Sequence, residues 1–298
     1  MILIIGASGR LGGLVARQLL ANGQAVRAMS RTPSSLAELR ALGAETVVGD
    51  LRDHASLARA CAGADMVFAA AHAFNSKGDN VPQTVDDTGN RALIDAARAA
   101  GASHFVLTSI LGARADHPVD AFRAKYAAEE HLRASGLSYS ILRPTAYMEL
   151  WATIIGEPIA QQGKAMIFGR GQNPINWVSA RDVAHFAELA LTDPQARGQV
   201  IEIGGPENLS FTQVVALCER AMGRTASKQH IPLPMMRVMR VLARPINSAF
   251  SRQVAAGILM DTADMTFDPA DLLKRFPYML TRFDDVVQRL YGRVASAA

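Results

Sequence analysis

Three glycines near the start of the chain, Gly6, Gly9 and Gly12, stand at the spacing G-x-x-G-x-x-G. Glycine at that spacing suits one kind of chemistry, an anion held by bare peptide N–H groups. Gly6 permits a tight turn, Gly9 has no side chain to keep a pyrophosphate off the backbone, and Gly12 lets a helix lie against a sheet. Ile2 to Ile5 before them is a continuous apolar run, as in a strand buried on both faces. After them Leu11, Leu14, Val15, Leu19 and Leu20 recur at helical spacing. Strand, glycine turn and helix N-terminus in that order form a phosphate cradle, with unpaired N–H groups and the positive end of the helix dipole facing it. Ser8, Arg10 and Leu11 lie within the turn and are expected to share the contact, Arg10 adding a second positive charge to the site. A tight turn that holds no ligand is the competing reading, and the strand–helix context favours the cofactor.

The next strand, Gln24 to Ser30, decides which dinucleotide fits. An NAD site usually ends this strand on an acid that holds the ribose 2′-hydroxyl. Here the end reads Met29-Ser30-Arg31-Thr32. Arg31 and Ser30 suit a 2′-phosphate instead, the arginine through a charge-assisted fork. NADP(H) is therefore the preferred cofactor, with NAD(H) also possible. Asp50-Leu51 ends the third strand, where a doubly wound nucleotide site places adenine. Asp50 could accept from the adenine amino group and Leu51 cover a ring face. Asp50 could equally cap the following helix, a role open to Asp53 as well. Ala69, Ala70 and Ala71 end the fourth strand without bulk, leaving room for ribose and pyrophosphate or for close helix packing.

These residues need a frame, and the pattern supplies one: strand and helix alternate at the spacing of βαβ units. Strands are expected over 45–49, 64–71, 103–109 and 138–143, and helices over 33–42, 54–61, 85–100 and 122–134, with a polar loop at 75–83. After Pro144 the alternation weakens. A helix over 147–161, short strands at 164–168 and 175–178, a helix over 179–191, a strand over 199–203 and a helix over 211–222 follow, then mostly helices. The fold class is α/β: a doubly wound parallel sheet of Rossmann type with a smaller, mostly helical C-terminal substrate lobe. The expected nucleotide-binding domain spans 1–150 with a return segment at 175–203. The lobe takes 151–174 and 204–298.

Composition narrows the classes. The 298 residues are 49% hydrophobic, enough for a sizeable core, and the net charge of +4 is spread without a basic block, so nucleic acid is not expected. Cys61 and Cys218 give neither a disulfide framework nor metal-ligand spacing, and no metal is expected. No signal peptide precedes the first strand and no apolar run reaches eighteen residues, so the cytoplasm is the expected compartment.

Gly6-Ala-Ser-Gly-Arg-Leu-Gly12, Gly49-Asp-Leu-Arg-Asp53, Thr108-Ser109, Lys125 and Leu142-Arg-Pro-Thr145, with the stretch Lys125 to Pro144, together resemble the NmrA-like group of atypical short-chain dehydrogenase/reductases. The likeness continues through Val178 to Ala184 and Gly204 to Asn208. It implies a Rossmann NAD(P) domain and a substrate lobe, but no single reaction: the group includes reductases of quinones, dyes and flavonoid-like compounds and redox sensors that bind NADP without turnover. The wider family uses Tyr-x-x-x-Lys and a strand-end serine, the tyrosine giving a proton that the lysine helps to mobilise. Lys125 fits the lysine and Ser109 the serine, whereas the tyrosine position holds Ala121. Tyr126, one residue on, points about 100° away on a helix. The candidate catalytic residues are thus Lys125 and Ser109; the competing role for Lys125 is a solvated pair with Glu129 at i+4. The resemblance also puts the Pro144 backbone against the nicotinamide carboxamide.

His72, Tyr147, Trp151, Phe168 and Trp177 are expected to wall a flat ring at the nicotinamide end. The stretch Leu233 to Leu242, with Arg237, Arg240 and Arg244 on one face, reads first as a lobe helix and second as a peripheral membrane contact over 233–244. The expected function is an NADP(H)-dependent oxidoreductase passing hydride to a small, fairly apolar quinone-, carbonyl- or dye-like acceptor. The alternative is a non-catalytic NADP(H)-binding sensor or assembly protein. The corresponding partners are a small-molecule substrate or a regulatory protein.

Overall fold

A computed structural model describes residues 1–74, 76 and 78–292; Asn75 and Lys77 of the expected loop, and 293–298, lie outside the described residues. The chain divides into two compact units. Met1–Pro144 with Val183–Glu202 form the first, and Thr145–Asp182 with the chain from Ile203 onward form the second.

The first unit is built on β1 (Ile2–Ile5), β2 (Val26–Ser30), β3 (Glu45–Val48), β4 (Met66–Ala69), β5 (His104–Thr108) and β6 (Tyr139–Pro144). With the strand Gln199–Ile203 at one edge the sheet order is that strand, then β6-β5-β4-β1-β2-β3. All pairs among β1 to β6 are parallel. Chain order reverses between β1 and β4, so a crevice opens at the carboxyl ends of those two strands. β1 and β5 are buried along their whole length, which explains their unbroken apolar runs. Helices α1 (Arg10–Ala21), α2 (Ala37–Ala41), α3 (His54–Cys61), α4 (Asn90–Ala99) and α5 (Asp120–Ala134) join the strands. The helix expected over 85–100 instead begins as a π-helical stretch, Gln83–Gly89, which continues into α4.

The second unit holds two small sheets beside its helices. Ile175–Val178 pairs with Ala146–Tyr147 and with Asn208–Leu209, and Lys164–Phe168 pairs with Ser227–Ile231. The returning stretch of the first unit is therefore Val183–Glu202, and 175–182 stays with the second. Trp177 is fully buried among Trp151, Phe211 and Phe283, with ring centroids 5.6–5.9 Å away, and its indole N–H donates to the Leu209 carbonyl. Trp177 is thus a core anchor and presents no surface to a ligand. Trp151 packs partly buried on the same cluster. No helix among the described residues is long and apolar enough to cross a membrane.

Candidate functional site

The turn after β1 takes the geometry that its glycines demand. Gly6 has φ +79°, and a Cβ there would lie 2.9 Å from the Ala71 nitrogen. Its carbonyl accepts the Gly9 N–H at 2.9 Å, closing the turn. A Cβ on Gly12 would stand 2.3 Å from the Gly6 carbonyl, so only glycine lets α1 approach the turn so closely. A Cβ on Gly9 would meet only that same carbonyl, at 3.2 Å. Helix α1 starts after Gly9 with no side-chain cap and no acid in its first turn. Its positive end is thus left for an anion, which fits a diphosphate.

The turn forms one wall of a cleft of about 240 Å³ lined also by the ends of β2, β3 and β4. Ser30 lies nearly buried at the end of β2, its hydroxyl 3.2 Å from that of Ser8 and 2.8 Å from that of Ser35. Arg31 is exposed at the rim and donates from Nη1 to Asn80 Oδ1 at 3.2 Å. Arg10 is also exposed. The cradle and the end of β2 thus each supply a cation, Arg10 and Arg31, and neither stretch carries an acid of its own. Asp50 lines the cleft, but both its oxygens are held by Arg52, from Nε at 3.0 Å and from Nη2 at 2.7 Å. The Arg52 guanidinium lowers the Asp50 pKa against the opposing effect of burial. The cap of α3 is Asp53, which accepts the Ala55 N–H at 3.0 Å, so the capping role passes from Asp50 to Asp53. Leu51, Ala70 and Ala71 complete this side of the cleft.

Lys125 is buried on α5, and its partner is not Glu129. Its ammonium lies 2.9 Å from Asp86 Oδ1, 3.0 Å from the Thr108 carbonyl and 3.4 Å from the Ala71 carbonyl. Three acceptors surround a group with three protons, and the one at greatest reach, Ala71, lines the cleft. Asp86, itself almost wholly buried, accepts the Ala73 N–H with Oδ2 at 2.9 Å; its Oδ1 has no hydrogen-bond partner beyond the ion pair. Glu129 is occupied elsewhere. It takes Arg143 at 2.7 Å, Arg133 at 3.1 Å and the Ser109 hydroxyl. Ser109 therefore donates into a buried carboxylate. The Pro144 carbonyl accepts the Leu111 N–H at 3.0 Å, so one of its two lone pairs is already used.

His72 is exposed at the cleft, yet crowding by its walls lowers its pKa more than the charge of Asp86 raises it, and Lys125 adds to the lowering. Tyr147 belongs to the second unit, where burial and then Glu149 push its phenol pKa upward.

The description of residues 1–258 as NmrA-like rests on a match to that family. The chain belongs to the NmrA-like family. It is 30% identical over 287 residues to an NAD(P)H azoreductase of Xenophilus azovorans, covering 93% of this chain and 96% of that protein. It is 28% identical over 301 residues to the photosystem II assembly factor Ycf39 of Synechocystis sp., covering 98% and 91%. The solved structure of the NADPH-dependent quinone oxidoreductase QOR2 of Escherichia coli, complexed with NADPH, superposes with a TM-score of 0.79 at 23% identity, covering 98% and 100%. That likeness is one of fold.

Within this NmrA-like frame the structure brings Gly6, Ser8, Gly9, Ser30, Arg31, Asp50, Leu51, Ala70, Ala71 and His72 onto one cleft. Ser109 it ties instead to Glu129. Asp86 and Asn80 were not singled out from the sequence, although one clamps Lys125 and the other holds Arg31. The only sequence signal for Asp86 was an acid pair, Asp86-Asp87, inside an otherwise amphipathic helical pattern.

Proposed function

We propose that this NmrA-like protein is an NADP(H)-dependent oxidoreductase acting on a small, flat, apolar acceptor such as a quinone or an azo dye. The observation that carries the reading is the uncapped start of α1 at Gly9, opening on a cleft whose β2 rim ends in Ser30-Arg31 with no acid. The names of the relatives, an NAD(P)H azoreductase and an NADPH-dependent quinone oxidoreductase, support the same class.

When bound, the cofactor supplies a hydride from the nicotinamide ring, and the acceptor takes that hydride together with one proton. The chain's residues bind and orient. The N–H groups at the start of α1 would hold the diphosphate, Ser30 and Arg31 the 2′-phosphate, and Leu51 would cover a face of the adenine. Asp86 fixes Lys125 beside the cleft, where its ammonium would hold the nicotinamide ribose. With its ammonium held by Asp86 and the Thr108 carbonyl, Lys125 is placed to bind rather than to give a proton to the acceptor. Ser109, bound to Glu129, donates none either, and the cleft walls disfavour the protonated form of His72. The proton comes from water, which suits a quinone, whose reduced phenolate-like anion is a weak base. That accounts for a working site with Ala121 where the wider family has tyrosine.

A second reading, a non-catalytic NADP(H)-binding assembly or sensor protein, is favoured by the same Ala121 and by the likeness to Ycf39. The test is steady-state NADPH oxidation across quinones, azo dyes and aldehydes. Turnover with a quinone or dye supports the oxidoreductase; tight NADPH binding without turnover on any acceptor leaves the sensor.

A further inference from the structure

The helix Leu233–Ala243 buries only Met236 fully. Val238, Val241 and Leu242 are 57%, 70% and 66% exposed, and Ile246 just beyond the helix is 88% exposed. At 100° per residue Met235, Val238, Val241 and Leu242 share an arc of about 120°. Arg237, Arg240 and Arg244 fall together beside that arc, and no side-chain partner is found for any of the three among the described residues. The charge of the surrounding sequence is one-sided. From Arg220 to Met260, 41 residues carry seven Lys and Arg and no Asp or Glu, although the whole chain is only +4.

We propose that this helix and the turn to Ile246 form a docking surface for an anionic lipid bilayer. The strip of Met235, Val238, Val241, Leu242 and Ile246 itself holds none of the aromatic anchors that mark protein interfaces. It matches an interfacial helix, whose apolar arc enters the acyl boundary while arginines at its edge meet headgroup phosphates. An 11-residue helix is far too short to span the bilayer, so attachment is peripheral and reversible. The surface lies wholly within the second unit and does not depend on the nucleotide cleft.

The test is flotation of the full chain with phosphatidylcholine vesicles, with and without phosphatidylglycerol, at low and high salt. The expected result is binding to the anionic vesicles alone, lost at high salt. The triple variant Arg237→Gln, Arg240→Gln, Arg244→Gln should weaken it on the order of 100-fold, each cation near the surface contributing about fivefold. The separate variant Val241→Ser, Leu242→Ser, Ile246→Ser should also lower binding while keeping the charge. These positions are exposed, apart from the half-buried Arg240, so both variants should melt close to the wild type. Failure to bind anionic vesicles at low salt overturns the proposal, as does binding that neither variant weakens. A stable dimer that the serine variant dissociates also overturns it, making the strip an interface between copies of the chain.

Discussion

The pair Lys125–Asp86 yields the sharpest energetic prediction. Both side chains are almost wholly buried, and their charged atoms are 2.9 Å apart. At an effective dielectric constant of about 20 the attraction is about 6 kcal/mol, most of it offset by the cost of taking both ions out of water. Breaking the pair from one side is a different matter. Lys125→Met leaves the Asp86 carboxylate buried with little beyond the Ala73 N–H, which costs about 3–5 kcal/mol. Asp86→Asn can keep that N–H on its amide oxygen, but then turns an NH₂ toward the ammonium, and the cost is about 3 kcal/mol. Changing both removes both charges, so the double variant should lie within about 2 kcal/mol of wild type and well above the sum of the singles. At roughly 2 °C per kcal/mol for a chain of this size, each single variant should melt roughly 6–10 °C below wild type. Urea or thermal denaturation of the four proteins measures the cycle. Additive effects, with a coupling below about 0.5 kcal/mol, would refute the clamp and with it the reading of Lys125 as a fixed binding group.

Arg31→Ala should weaken NADPH roughly 10-fold and leave NADH unchanged, since it removes a charge-assisted contact to a phosphate that NADH lacks; calorimetric titration with each nucleotide reads the difference. Gly12→Ala should destabilise the fold by about 1–3 kcal/mol, because its Cβ is driven into the Gly6 carbonyl. Gly9→Ala should instead melt close to wild type yet lose NADPH affinity, its methyl standing where the diphosphate must approach. Burial lowers the pKa of His104 and of His117. In each case the unfolded chain binds the proton more readily, so stability should fall as pH drops below about 6.5; His104→Gln should flatten that slope in melts recorded across the range.

The sheet was legible because each βαβ unit repeats the same local physics. The buried run Ile2–Ile5, the glycine turn and the amphipathic pattern from Leu11 all point to one answer. The phosphate end of the cleft was legible for the same reason, since its residues sit within a few positions of strand ends. Asp86 was not, because its partner Lys125 is 39 residues away in sequence and the π-helical stretch that carries it has no distinguishing period. The aromatic residues misled for a related reason. Composition makes Trp177 look like ligand wall or core alike, and only the packing of Trp151, Phe211 and Phe283 around it assigns it to the core. Ser109 likewise has the type and strand-end position of a catalytic serine, but its hydroxyl donates its hydrogen bond to the buried Glu129 beside it.

The claim on which all of this turns is that the peptide nitrogens after β1 grip a dinucleotide diphosphate. A crystal structure of the protein with NADPH tests it most directly. Diphosphate oxygens should lie at about 2.7–3.2 Å from N–H groups at the start of α1, with the 2′-phosphate beside Arg31. NADPH bound elsewhere in the chain, with the Gly6–Gly12 turn holding no phosphate, would contradict it.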